Sequence, residues 1–214
     1  MVLFGKDALF NLNKSGIEDY LNYLEEIESS IEKQNTIMEE QAKGILDEDF
    51  EEYLYHYEDE HYKYHTLFPT ILRRSIFTSL YSYFEHMLIE LCEDRVKLKA
   101  TKGTGIEKAK TYLTSHYGLG KLFVGAEWNL IKQYSKVRNC FLHADGVVYL
   151  YSKEHEQREI HRFIDKTNGI SLNQGDVIAL DSVFCREFSD VAIDFLTRTY
   201  EEIKSKEKKH PDSF

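Results

Sequence analysis

One short stretch of the sequence combines side chains that perform acid–base and phosphate chemistry. Arg138, Asn139 and His143 occur within six consecutive residues and are followed by Ala144-Asp145-Gly146. Asn139 and His143 are four positions apart, so a helix places them on one face. Arg138 is displaced by about 140° around that helix from His143. The stretch supplies a titratable imidazole, a permanent cation and an amide in one neighbourhood.

These three groups are sufficient to cleave a phosphodiester when the substrate carries its own nucleophile, as RNA does in its 2′-hydroxyl. The imidazole takes the proton of that hydroxyl or protonates the 5′-oxygen leaving group, and the guanidinium stabilises charge on the phosphorane. A structural interpretation stays open beside this one. In that interpretation His143 interacts favourably with the negative end of the helix dipole, and Arg138 pairs with a carboxylate.

Other kinds of site are not indicated by the sequence. It contains no P-loop, no Gly-x-Gly-x-x-Gly and no Cys-x-x-Cys. His61 and His65 are four residues apart, but zinc sites use three or four ligands, so we interpret both as solvent-exposed. The sequence therefore predicts no metal and no cofactor. The three cysteines are far apart and odd in number, as is typical of a reducing compartment: Cys92, Cys140 and Cys185.

Charge is distributed unevenly along the chain, whose formal net charge is −10. Residues 1–66 hold 5 basic and 17 acidic side chains, which gives −12. Residues 95–138 hold 10 basic and 2 acidic side chains, which gives +8, and this segment ends at Arg138. The net negative charge does not exclude phosphate binding, because such binding requires only a local patch of positive charge. The alternative is that the lysines lie on several solvated faces.

The elements that position these residues are predicted to be helices. Apolar or neutral residues recur every three or four positions over 17–45, which predicts one long amphipathic helix. Its stripe is either a coiled-coil seam or the inner face of one helix in a bundle. A broad apolar face over 69–98 predicts the central core helix, with Pro69 in its first turn. Apolar residues at helical spacing also predict helices over 47–65, 106–116 and 126–143.

Beyond Gly146 the pattern changes to short runs that favour strands. Residues 147–151 are β-prone, and the runs 170–172 and 177–180 predict a hairpin. Asp181 is placed to cap a last helix that continues through Ile203. The predicted fold class is all-α, a helical bundle with a long amphipathic N-terminal helix and a small β-hairpin insertion before the last helix.

The predicted organisation has three parts. Residues 1–66 form an acidic N-terminal helical extension, residues 67–204 form the main helical domain with a hairpin insertion at 146–180, and residues 205–214 form a polar tail. The first residues lack a basic segment followed by a long apolar run, and no stretch of 18 apolar residues occurs. We therefore expect a cytoplasmic protein that does not interact with a membrane.

The string Arg138-Asn139-Cys140-Phe141-Leu142-His143 resembles the signature of the HEPN superfamily (higher eukaryotes and prokaryotes nucleotide-binding). That signature is Arg, a polar residue that is often Asn, three to five variable residues and His. The resemblance covers residues 69–204 and is architectural outside the motif. It implies that Arg138 and His143 are catalytic and that Asn139 positions the phosphate. It also makes Glu85 a candidate assisting acid, for which a salt bridge or a helix cap is the alternative role.

The resemblance implies a metal-independent endoribonuclease of toxin or phage-defence type, including abortive infection. Members commonly form homodimers in which two motifs make one cleft, so the expected partners are RNA, a second copy, and an antitoxin or defence-system protein. Lys132 and Lys136, which shortly precede the motif, are then expected to contact RNA. Asp145 stands where some members carry a tyrosine that a nucleotidyltransferase modifies, so that partnership is not expected. The alternatives are a non-catalytic HEPN-like nucleotide- or protein-binding module and a helical scaffold.

Overall fold

The computed structural model of the protein describes residues 5–43 and 57–209. Its α-helices are, in chain order, α1 (Lys6–Lys43), α2 (Phe68–Glu90), α3 (Arg95–Ala100), α4 (Gly105–Tyr117), α5 (Ala126–Ala144), α6 (Glu154–Ile164) and α7 (Ser182–Lys209). Residues 57–62 are also helical, and a π-helical turn, Lys63–Leu67, joins them to α2. Strands β1 (Ile170–Asn173) and β2 (Val177–Leu180) form an antiparallel hairpin directly before α7. The predicted fold class is confirmed.

Helix α2 lies at the centre of the bundle, where it contacts α1, α4, α5 and α7. Its inner face consists of residues that recur at intervals of three and four, and each is at most 1% exposed: Phe77, Leu80, Tyr81, Phe84 and Leu88. Removing this much apolar surface from water is the largest favourable contribution to folding. The prediction that this segment is the core helix is therefore confirmed.

Helix α1 packs into the same hydrophobic core as the rest of the chain. Phe10, Ile17 and Leu24 are 8%, 1% and 1% exposed and belong to one buried cluster with the residues of α2 and α7. The two glutamines of the predicted stripe, Gln34 and Gln41, are exposed. Of the two interpretations of the stripe, the structure agrees with one helix of a bundle. A helix was also predicted over residues 47–65, and residues 47–56 of this segment lie outside the described residues.

One boundary of α2 agrees with the prediction and the other differs. Pro69 lies in the first turn of α2, as predicted, although the backbone passes into this helix from the π turn without interruption. A π turn is wider than an α turn, which relieves the clash of a proline ring with the preceding carbonyls. Helix α2 ends at Glu90, eight residues before the predicted end, and the extended backbone of Asp94 then begins a separate helix, α3. The Asp94 carboxylate caps α3 by accepting hydrogen bonds from the N–H groups of Val96 and Lys97 at 3.0 and 2.9 Å.

The segment between α5 and α7 contains more helix than the sequence predicted. The β-prone run 147–151 forms a 3-10 turn at Val148–Leu150, and only Val147 makes a bridge, with Val177 of β2. The run 147–151 therefore pairs with β2 at one residue and does not form a third strand of the sheet. Helix α6 was not predicted, since its first two turns are charged and its buried residues, Ile160, Phe163 and Ile164, come at its end. The predicted hairpin is confirmed, with Ile170 opposite Leu180.

Asp181 begins α7 as predicted. Its Oδ1 accepts hydrogen bonds from the N–H groups of Val183 and Phe184 at 2.8 and 3.3 Å. The helix continues to Lys209, so it includes residues 205–209 of the segment predicted as a polar tail. Within the described part of the chain, no helix is long and apolar enough to cross a membrane.

Replacing Asp181 with alanine is expected to lower the free energy of unfolding by about 1 kcal/mol, because two N–H groups at the start of α7 lose their acceptor. Urea denaturation followed by circular dichroism measures this loss. Asp190→Ala is the matched control, since Asp190 is exposed in the middle of α7, and its effect should stay within about 0.5 kcal/mol. Equal effects of the two substitutions would contradict the capping role.

Candidate functional site

Helix α5 carries the motif and presents it on the outside of the bundle. Its buried residues define one face: Trp128, Ile131, Tyr134, Val137, Cys140, Phe141 and Ala144. Because successive residues are rotated by about 100°, burial of these positions turns 138, 139, 142 and 143 away from the deepest part of the core. Asp145 ends the helix in the left-handed conformation, and its N–H donates to the carbonyl of Cys140. The motif thus occupies the last two turns of a well-anchored helix.

Arg138 is half-buried and lies beside α2. One terminal nitrogen, Nη1, donates a hydrogen bond of 3.0 Å to Oδ1 of Asn139, and the guanidinium carbon lies 5.8 Å from the centre of the Tyr81 ring. Its Nε is buried and has no hydrogen-bond partner within residues 5–43 and 57–209. The cation–π contact and the bond to Asn139 orient the guanidinium without neutralising its charge.

Asn139 lies between Arg138 and the segment that follows α5. Burial raises the pKa of the Tyr151 hydroxyl, and Glu156 acts in the same direction, whereas a hydrogen bond with the Asn139 side chain lowers it. Tyr151 directly follows the 3-10 turn Val148–Leu150. The segment predicted as a hairpin insertion therefore packs beside the motif, and it reaches the motif through Tyr151.

His143 is exposed in the last turn of α5. Among the described residues it has no hydrogen bond, ion pair or ring contact. Asn139 lies one turn earlier on the same face, as the spacing predicted, but the guanidinium of Arg138 turns toward Tyr81 and Asn139. The structure thus joins Arg138 to Asn139, and no contact joins either side chain to His143 within one chain.

Glu85, the candidate assisting acid, lies on α2 near the same tyrosine as Arg138. Burial raises the pKa of the Tyr81 hydroxyl above its usual value. The negative charge of Glu85 raises this pKa further, and the positive charge of Arg138 lowers it. Oε1 of Glu85 is 2.9 Å from the position that a Cβ would take on Gly105, whose φ is +54°. The left-handed backbone favours glycine at position 105, and the start of α4 approaches the Glu85 carboxylate closely.

The two lysines expected to contact RNA differ in their surroundings. Lys136 forms an ion pair with Glu159 of α6, and burial lowers the pKa of its ammonium group. Lys132 is half-buried and makes no hydrogen bond or ion pair with any residue that the structure describes. Helical spacing places both lysines on the face that also carries Asn139 and His143. That face is basic, but α6 brings acidic side chains against part of it.

A further cation at this site, Arg74, was missed by the sequence analysis. From α2 its Nη2 donates a hydrogen bond of 2.8 Å to the carbonyl of Phe141, and its Nη1 lies 2.5 Å from Oδ1 of Asp145. The guanidinium also lies 5.1 Å from the centre of the Phe141 ring. Arg74 therefore holds the last turn of α5. The signal in the sequence was the pair Arg73-Arg74 within a mostly apolar helix, but nothing in the sequence indicated the partners of these arginines.

Metal binding finds no support in the described residues. No group of three or more His, Cys, Asp or Glu side chains among them is placed to hold a metal ion. His61 and His65 are both exposed and stack on each other with ring centres 4.0 Å apart. The three cysteines are buried free thiols.

Comparisons of the chain with models of protein families, with curated proteins and with solved structures found no match. A function for this chain therefore has to be inferred from the side chains at the end of α5 and their surroundings.

Proposed function

We propose that the protein is a metal-independent endoribonuclease of the HEPN type, with a toxin or phage-defence role, in which Arg138 and His143 act on RNA. Asn139 orients Arg138 and the scissile phosphate. The 2′-hydroxyl of the substrate attacks the phosphorus, and the bond to the 5′-oxygen breaks. His143 transfers the protons and Arg138 binds the phosphorane oxygens. The products are a 2′,3′-cyclic phosphate and a free 5′-hydroxyl.

The observation that carries this proposal is the unneutralised charge of Arg138. Six of the seven other arginines form ion pairs with carboxylates, and the seventh, Arg162, is exposed; the six are Arg73, Arg74, Arg95, Arg158, Arg186 and Arg198. Arg138 is half-buried and forms no ion pair within the described part of the chain, although its guanidinium is fixed by Asn139 and Tyr81. A partly desolvated cation without a counter-ion is poised to bind an anion such as a phosphate.

The separation of Arg138 and His143 around α5 favours a site made by two chains. With about 140° between them and the guanidinium turned toward Tyr81 and Asn139, the two side chains of one helix point in different directions. A second copy related by a two-fold axis would bring its own motif against the first, so that His143 of one chain acts with Arg138 of the other. A homodimer is therefore part of the proposal.

Exposed apolar side chains beside the motif provide a surface for that second copy. Leu142, Tyr149 and Leu150 are 50%, 59% and 62% exposed. Leu142 is rotated by about 40° from Arg138, and Tyr149 and Leu150 directly precede Tyr151, which contacts Asn139. Their burial against a second chain would exclude water from the guanidinium and the imidazole, which strengthens the electrostatic interactions there.

Substituting His143 with alanine is expected to reduce cleavage of single-stranded RNA by at least 100-fold, because the proton-transfer group is lost. Arg138→Ala should cause a loss of similar size, since no cation then faces the phosphorane. Cleavage is measured with the full chain in excess EDTA, and the product ends are identified by mass spectrometry.

Two variants serve as controls for this experiment. His155→Ala removes an exposed histidine of α6 and should retain wild-type cleavage. Arg138→Lys keeps the charge but loses the planar fork, so its activity should lie between those of wild type and Arg138→Ala. Wild-type protein that binds RNA without cutting it would contradict the nuclease and favour a non-catalytic binding module.

Leu142→Glu is expected to convert a dimer into monomers and to abolish cleavage together with it, because a carboxylate would be buried at the interface. Sedimentation velocity measures the oligomeric state at several protein concentrations. Val124→Glu is the matched control, since Val124 is 77% exposed in the 3-10 turn before α5. A monomeric wild type that cleaves RNA would refute the two-chain site.

A further inference from the structure

A pocket of about 400 Å³ opens between α1 and the π turn that leads into α2. One wall carries Glu28, Glu32 and Asn35 from α1, and the opposite wall carries Tyr64, His65 and Arg73. None of the residues proposed to act on RNA lines this pocket. It is therefore a site of its own, and its chemistry follows from these six side chains.

Asn35 is the unusual residue of the pocket. It is 5% exposed, and its Oδ1 is buried without a hydrogen-bond partner in the described structure. Two polar residues buried to a similar degree are satisfied by helix carbonyls: Ser189 donates to Cys185 at 2.9 Å and Thr199 to Phe195 at 2.7 Å. An unpaired buried amide lowers stability, and a leucine of similar size would avoid that loss. Asparagine at position 35 therefore points to a donor that the described residues do not supply.

The charges around Asn35 identify the kind of donor. Arg73 Nε lies 2.5 Å from Glu28 Oε1, so these two groups neutralise each other. Glu32, one turn further along α1, makes no side-chain hydrogen bond or ion pair with the described residues, and this leaves one free carboxylate at the pocket. His65 is exposed and lies on the opposite wall of the pocket. A positively charged donor is the ligand that this balance favours.

The wall opposite α1 adds an aromatic ring and an irregular backbone. Tyr64 is half-buried and packs edge-on against Phe68, with ring centres 5.2 Å apart. The N–H of Phe68 donates to the carbonyl of Lys63, five residues earlier, which defines the π turn. Such turns insert one extra residue into a helix and are frequent at functional sites. Here the turn carries Tyr64 and His65, the two residues that face the α1 wall.

We propose that this pocket binds an organic cation that carries an ammonium or guanidinium group. The charged N–H groups donate to Glu32 and to Oδ1 of Asn35, which reaches the ligand when the terminal amide turns over. The cation lies against the face of Tyr64. A free polyamine-like molecule and an arginine side chain of a partner protein share this chemistry, and the experiment separates the two sources.

The test is isothermal titration calorimetry, in which the dissociation constant of the full chain is measured for putrescine, for agmatine and for a short peptide containing one arginine. At least one cationic probe should bind saturably, whereas 1,4-butanediol, the neutral counterpart of putrescine, should not bind. Tighter binding of the peptide than of agmatine would identify a protein partner, and the reverse would identify a small molecule. Absence of saturable binding by every cationic probe would overturn the proposal.

Variants then assign the binding to this pocket. Glu32→Gln is expected to weaken binding at least tenfold, while Glu26→Gln, an exposed carboxylate elsewhere on α1, should change it less than twofold. Asn35→Leu should abolish binding and leave the melting temperature unchanged or raised, because an unpaired amide is replaced by an apolar group. Equal binding by the Glu32 and Glu26 variants, or a destabilised Asn35→Leu that still binds, would contradict the assignment.

Discussion

The packing of aromatic rings around Phe77 fixes how α2, α5 and α7 lie against one another. The ring centre of Phe77 lies 4.9 Å from that of Phe184, 5.5 Å from that of Phe188 and 6.3 Å from that of Phe141. Phe141 belongs to the motif segment itself, between Asn139 and His143. Because its ring is held in the core, the rotation of α5 is set, and with it the directions in which the motif side chains leave the helix.

Arginines serve two different purposes in this fold, and the difference is visible in their partners. Arg73 and Arg74 reach from α2 to Glu28 and Asp145, so their charges are neutralised while they hold α1 and the end of α5. Arg138 is held instead by an amide and an aromatic ring. Neutral partners fix a guanidinium without consuming its charge, which is the condition that an anion-binding group must meet.

Local patterns predicted what depends on local sequence, and the remaining features depend on contacts between distant residues. The spacing of Ile76, Leu80 and Phe84 was sufficient to identify the core helix, and the cap at Asp181 could be predicted from its position before an amphipathic segment. The role of Arg74 could not be predicted, because its partners lie 67 and 71 residues away. The ion pair of Lys136 with Glu159 was missed for a similar reason: α6 carries too few apolar residues to be recognised before its packing is known.

The contact between the first turn of α1 and the last third of α7 has a consequence for how the chain matures. Phe10 stacks on Tyr200 with ring centres 4.2 Å apart, and the Tyr200 hydroxyl donates to Asp7, 193 residues away in sequence. During translation α1 emerges before α7, so Phe10 lacks its stacking partner until Tyr200 is made. A chain without α7 therefore exposes part of the apolar face of α1, and exposed apolar surface of this kind is what chaperones bind.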